Sequence, residues 1–126
     1  MAKTFMQMVE EAKAEVPAIG VQDASRQARQ DPRTLIVDVR DADDVRQSGA
    51  IPGSLNISLG MLPVRADQQL PEQFRDPNLQ DRSRPIITTC ALGLNAARGA
   101  KLLKEMGFTN VRYMDGGYKA WKEAGL

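Results

Sequence analysis

Two short apolar runs constrain this chain more than any other feature. Thr34-Leu35-Ile36-Val37 and Pro85-Ile86-Ile87-Thr88-Thr89 are each about one strand long, and turn residues bound both. A run without polar alternation fits a strand covered on both faces. That is the condition of a parallel sheet with helices above and below. Helical stretches alternate with such runs along the rest of the chain. The spacing predicts helices over 5–15, 22–30, 42–47, 94–106 and 118–124, and further short strands over 55–57 and 111–114. Residues 60–84 are polar and rich in Pro and Asp, which predicts one or two short surface helices. The expected fold class is therefore α/β: three layers, α/β/α, around a central, mainly parallel sheet of about five strands.

Local signals set the element ends. Pro17 stops the first helix and Asp31-Pro32 the second. Asp41 stands where an N-cap for the 42–47 helix belongs. Gly107 is the expected stop of the 94–106 helix. In that helix Ala96, Ala100, Leu103 and Met106 share one face. In the first helix Phe5, Met8, Val9 and Ala12 recur at helical spacing, which predicts packing on the domain's own surface and leaves a dimer contact as the alternative. The expected division is an N-terminal helix over 1–17 flanking one domain over 18–126.

Composition narrows the function. The 126 residues carry 17 Lys and Arg against 16 Asp and Glu, a net charge of +1, and the basic residues are scattered rather than striped. That balance leaves no nucleic-acid footprint. No apolar run is long enough to cross a bilayer, and the N-terminus lacks a signal-peptide core. The expected location is cytoplasmic, where a lone thiol stays reduced. One cysteine and no histidine exclude an internal disulfide, a Cys/His zinc site and every histidine-based catalytic pair. No metal and no cofactor are expected.

The remaining reactive group is Cys90. It follows the second apolar strand and precedes a one-glycine loop that opens the 94–106 helix. Ligands of open α/β sheets bind at the carboxyl ends of strands. The first N–H groups of a helix have no partners within it, and the helix dipole adds positive potential there. Both favour an anion such as a thiolate. A free cysteine is also often a small buried hydrophobe, and position alone leaves both readings open. Gly93 favours the first, because it lets the backbone turn sharply and present consecutive N–H groups as an anion nest.

Four motifs in order then resemble one family. They are Asp38-Val39-Arg40, Gly49-Ala50-Ile51-Pro52-Gly53-Ser54-Leu55-Asn56-Ile57, Cys90-Ala91-Leu92-Gly93-Leu94-Asn95, and Met114-Asp115-Gly116-Gly117-Tyr118-Lys119-Ala120-Trp121. Together they resemble a single-domain rhodanese-like sulfurtransferase over roughly residues 18–126. The resemblance implies that Cys90 takes a sulfane sulfur from a donor, thiosulfate or a persulfide, and holds it as a persulfide. The outer sulfur then passes to a thiophilic acceptor, cyanide or a thiol. It implies that the loop from Ala91 through Leu92, Gly93, Leu94 and Asn95 cradles the sulfur. Asp38 and Arg40 would brace the loop, and Arg65 lies in a segment that in this fold can approach the mouth of the site, with a surface charge as its other and preferred reading. Asp115, Gly116 and Gly117 would pack the last helix.

The chain departs from the family pattern where Asn95 replaces a common Arg and Ala50 a common His. With no cation in the loop, thiosulfate is expected to be a poor donor. A small-molecule or protein persulfide is the expected one. Asn95 is a candidate cap of the helix it begins, and Arg98 reads as a solvated charge on that helix. Two other readings stand beside transfer. A non-catalytic binding or redox-sensing module commonly lacks the cysteine. The phosphatases and arsenate reductases of this fold need Cys-x5-Arg, and here the sixth residue after Cys90 is Ala96.

Overall fold

In the computed structural model, which describes residues 2–126, five strands form one sheet. The strands are β1 (Ala18–Ile19), β2 (Leu35–Asp38), β3 (Leu55–Asn56), β4 (Ile86–Thr89) and β5 (Val111–Met114). Their spatial order is β1-β5-β4-β2-β3, and every pair is parallel. Six helices surround them: α1 (Phe5–Glu15), α2 (Val21–Gln30), α3 (Ala42–Ser48), α4 (Leu62–Ala66), α5 (Leu94–Glu105) and α6 (Gly117–Glu123). Two single turns of 3-10 helix, Glu72–Phe74 and Pro77–Leu79, occupy the polar stretch before β4.

The sheet divides two apolar cores. Leu35, Val37 and Ile86 face one side, where Ala12 and Val16 of the N-terminal segment pack with Leu62 and Ala66 of α4 and Ala96, Ala100 and Leu103 of α5. Ile36, Ile87 and Met114 face the other side, against Ala24 of α2 and Trp121 of α6. All four residues of β2 and of β4 are buried, as an apolar run without alternation requires. The three layers expected from the sequence are present, and the sheet is wholly parallel.

The structure adds β1, which the sequence reading did not contain. It is two residues long and pairs with β5 through Ala18 opposite Tyr113 and Ile19 opposite Met114. Helix α1 lies on α5. Its Val9 and Ala12 are fully buried there, so that face of the candidate dimer element is used within the chain. A capping box formed by Thr4 and Gln7 fixes its start. Met106, expected on the α5 face, stands one residue beyond the helix and packs at the margin of the core.

Candidate active site

The sheet topology fixes where a site forms. After β2 the chain moves outward to the edge strand β3, and after β4 it moves the opposite way to β5. The carboxyl ends of β2 and β4 lie side by side, with Asp38 opposite Thr89. Connections leaving in opposite directions open a crevice there. Val39-Arg40-Asp41 leave β2 into it, and Cys90 leaves β4 into it.

Cys90 is 5% exposed at a cavity of about 740 Å³ that Arg40, Asp41, Ala91, Leu92, Leu94 and Asn95 help to line. Its Sγ accepts hydrogen bonds from two backbone N–H groups, Gly93 at 3.1 Å and Ala96 at 3.2 Å. Two N–H donors converging on one sulfur solvate a thiolate without any side-chain cation. Gly93 was expected to contribute. Ala96 was not, and the reason is where the helix begins. Gly93 adopts φ 94° and is itself the N-cap, so α5 starts at Leu94 and Ala96 falls in the first turn, whose N–H groups are free to point at Sγ. Asn95 is therefore not the cap. It lies inside the helix, and its Oδ1 accepts from Arg98 Nη1 at 3.1 Å.

The loop is held from behind by α6. Tyr118 N–H donates to the Cys90 carbonyl at 2.8 Å, and Lys119 N–H donates to the Ala91 carbonyl at 3.1 Å. With both carbonyls turned toward α6, the loop's N–H groups can turn toward the sulfur. Gly117 makes the approach feasible. It has φ 61°, and a Cβ on it would stand 2.5 Å from the Cys90 carbonyl oxygen and 2.7 Å from the Gly93 nitrogen. The Asp115-Gly116-Gly117 turn thus does more than pack the last helix: it forms the floor of the cysteine loop.

Asp38 and Arg40 form a buried ion pair at the end of β2. Arg40 Nη2 lies 2.7 Å from Asp38 Oδ2, and Nε donates to both carboxylate oxygens at 3.0 and 3.1 Å. The guanidinium also donates to Ser48 Oγ at 2.6 Å and to the Gly49 carbonyl at 3.0 Å. The Tyr118 ring lies 4.7 Å away. The Asp38 hydrogen bonds push the Arg40 pKa above the ordinary guanidinium value. This pair ties β2, α3 and α6 into one wall beside the loop.

Arg65 is not brought to the site. It lies on α4, outside the cavity lining, and its Nη1 donates to the Phe74 carbonyl at 2.8 Å. That exposed bond holds Arg65 along the surface. Arg98, read as a solvated helix charge, is half-buried, held by Asn95 and lying 5.8 Å from the Phe5 ring centroid. Phe5 was missed as a site residue. It lines the Cys90 cavity from α1, 85 positions earlier in sequence. Helical periodicity placed Phe5 on α1, but no local signal said where α1 would dock.

Comparison with known proteins agrees with this fold. The model of the rhodanese-like domain matches residues 21–124. A thiosulfate sulfurtransferase, GlpE, of Shewanella oneidensis is 33% identical over 89 residues, which span 71% of this chain and 76% of that protein. Among solved structures, a Rhodopseudomonas palustris protein of unknown function, described as a possible tyrosine phosphatase, superposes with a TM-score of 0.90 at 31% identity. It covers 99% of this chain and 93% of its own. The polysulfide-sulfur transferase homodimer of Wolinella succinogenes gives a TM-score of 0.75 at 27% identity, covering 97% and 84%.

Proposed function

Because the chain belongs to the rhodanese-like family, we propose that it is a sulfurtransferase that carries a sulfane sulfur on Cys90. One observation carries the reading: Sγ sits at an open cavity and accepts two backbone N–H groups. In the first half-reaction the Cys90 thiolate attacks the outer sulfur of the donor. The donor's S–S bond breaks, and the leaving group (sulfite from thiosulfate, a thiolate from a persulfide) departs with the electron pair. In the second, a thiol or cyanide attacks the outer sulfur of the Cys90 persulfide and the thiolate is restored. Asp38 and Arg40 are positioning residues in this scheme, since the Arg40 guanidinium donates to Asp38, Ser48 and Gly49. The lone thiol suits a reducing compartment such as the cytoplasm.

A second reading has one comparison in its favour, the relative described as a possible tyrosine phosphatase. The clamp such chemistry needs is an Arg six residues after the cysteine. Here that residue is Ala96, whose backbone N–H is directed at Sγ. Intact-mass measurement separates the readings. Incubation with thiosulfate or an organic thiosulfonate should add one sulfur atom, a thiol or cyanide should remove it, and Cys90→Ser should abolish the gain. A protein that gains no sulfur but hydrolyses an aryl phosphate through Cys90 is a phosphatase instead. One that does neither is a binding module.

A further inference from the structure

The N-terminal helix supplies part of the wall of the Cys90 cavity. Phe5 opens α1, lines the Cys90 cavity and remains 44% exposed. Leu59 and Leu94 line the same cavity, and Leu92 at the loop tip is 55% exposed. The charged residues of the lining are Arg40, Asp41 and Asp44. Arg40 is neutralised by Asp38. The Asp41 and Asp44 side chains have no hydrogen-bond or ion-pair partner among the described residues. The nearby cation Arg98 lines a second cavity that shares Leu59 with the first, and its guanidinium is held by Asn95 and lies 5.8 Å from the Phe5 ring centroid.

Resting on the sulfurtransferase reading, we propose that Phe5 is a specificity-determining residue and that the site selects an organic sulfane-sulfur donor over thiosulfate. A cavity of about 740 Å³ is far larger than a small inorganic anion needs. Its apolar wall rewards a carbon-bearing leaving group. Asp41 and Asp44 repel a dianion, and the cation of the lining, Arg40, is already paired with Asp38. The step balances for such a donor, R–S–SH: the Cys90 thiolate attacks the outer sulfur, the S–S bond breaks and R–S⁻ leaves with the electron pair. The proton stays on the transferred sulfur, giving a Cys90 persulfide. An organic thiosulfonate reacts in the same way, with the sulfinate R–SO2⁻ as leaving group, and is stable enough to serve as probe.

The test measures the rate of Cys90 sulfur loading by mass spectrometry at limiting donor, using benzenethiosulfonate, methanethiosulfonate and thiosulfate. The first two share a leaving-group type and differ in the ring. Wild type should load fastest from benzenethiosulfonate and slowest from thiosulfate. Phe5→Ala should cut the benzene-to-methane ratio about tenfold, the effect of losing one apolar wall, and Phe5→Leu should restore part of it. Asp41→Asn with Asp44→Asn should raise loading from thiosulfate and leave the benzene-to-methane ratio as it was. A ratio that Phe5→Ala does not change, or a wild type that prefers thiosulfate, overturns the inference and leaves sulfur transfer standing. No loading from any of the three overturns both.

Discussion

Gly117 lies directly against the carbonyl of Cys90, so closely that a methyl group on it would stand 2.5 Å from that oxygen. Through this contact the start of the last helix sets the shape of the cysteine loop. The loop's carbonyls are bound from below by Tyr118 and Lys119, and its sulfur is bound from above by Gly93 and Ala96.

Replacing that glycine should therefore damage stability and chemistry together. Gly117→Ala is expected to cost about 2–4 kcal/mol, combining a left-handed backbone with a main-chain collision. Sulfur loading of Cys90 should fall with it. Gly125 supplies the control: it also has a positive φ, of 76°, but a Cβ there meets nothing within 4 Å. Gly125→Ala should cost only about 1 kcal/mol of conformational strain. Urea unfolding of the two variants, with loading measured by mass, checks both statements.

Breaking the Asp38–Arg40 pair should be more costly than removing it whole. Both side chains are buried, so Asp38→Ala leaves a guanidinium without its counter-charge. The expected loss is about 3–5 kcal/mol. Asp38→Leu combined with Arg40→Met removes both charges and should recover a good part of that loss. Chemical denaturation of the single and double variants gives the comparison. A double variant as unstable as Asp38→Ala would contradict it.

Thr88 links the central strand to the first turn of α5. Its hydroxyl donates to the Ala96 carbonyl at 2.7 Å, within a fully buried site. Ala96 is also a donor to Sγ. Thr88→Val keeps the shape and removes the bond, at an expected cost of about 1 kcal/mol. Freed of that anchor, the first turn of α5 should hold Sγ less firmly. The reaction of Cys90 with a small alkylating agent should change in rate, whereas a bond with no bearing on the site would leave it as in wild type.

Alkaline stability should depend on Tyr113. Burial, reinforced by the negative charges of Asp115 and Glu10, raises its pKa above the usual tyrosine value. The neutral phenol is thus favoured in the folded chain, and the unfolded chain loses its proton first as pH rises. The contribution is fully present below about pH 10, the ordinary tyrosine pKa, and is lost as pH climbs from there through the folded value. Tyr113→Phe should flatten the decline of unfolding free energy in that alkaline range. Parallel slopes for the two proteins would refute it.

Much of this architecture can be read from residue order, because burial on both faces leaves an unmistakable pattern. Leu35-Ile36-Val37 and Ile86-Ile87 have no polar alternation to confuse them, and Val9 and Ala12 keep helical spacing. What escaped the sequence depends on distant partners. Strand β1 is two residues after a proline and exists only through its pairing with β5. Asn95 has the chemistry of a helix cap, but Gly93 takes that position because only glycine readily enters the left-handed turn required there. The same shift moved the second sulfur-binding N–H to Ala96, outside the Cys90–Asn95 motif. Arg65 and Phe5 changed places for a similar reason. One is drawn off by the Phe74 carbonyl, and the other is delivered by the docking of a helix whose periodicity says only that it packs somewhere.

The depth of Cys90 also determines what the thiol can meet. A disulfide needs its two sulfurs about 2.05 Å apart and its two Cα atoms within about 7 Å. Cys90 is 5% exposed and lies at a cavity that Leu92 and Phe5 also line. For two copies to join through this residue, each loop would have to enter the other's cavity at once. A slender reagent enters such a recess more readily than a second folded chain does. The recess thus works against covalent self-dimerisation under oxidising conditions.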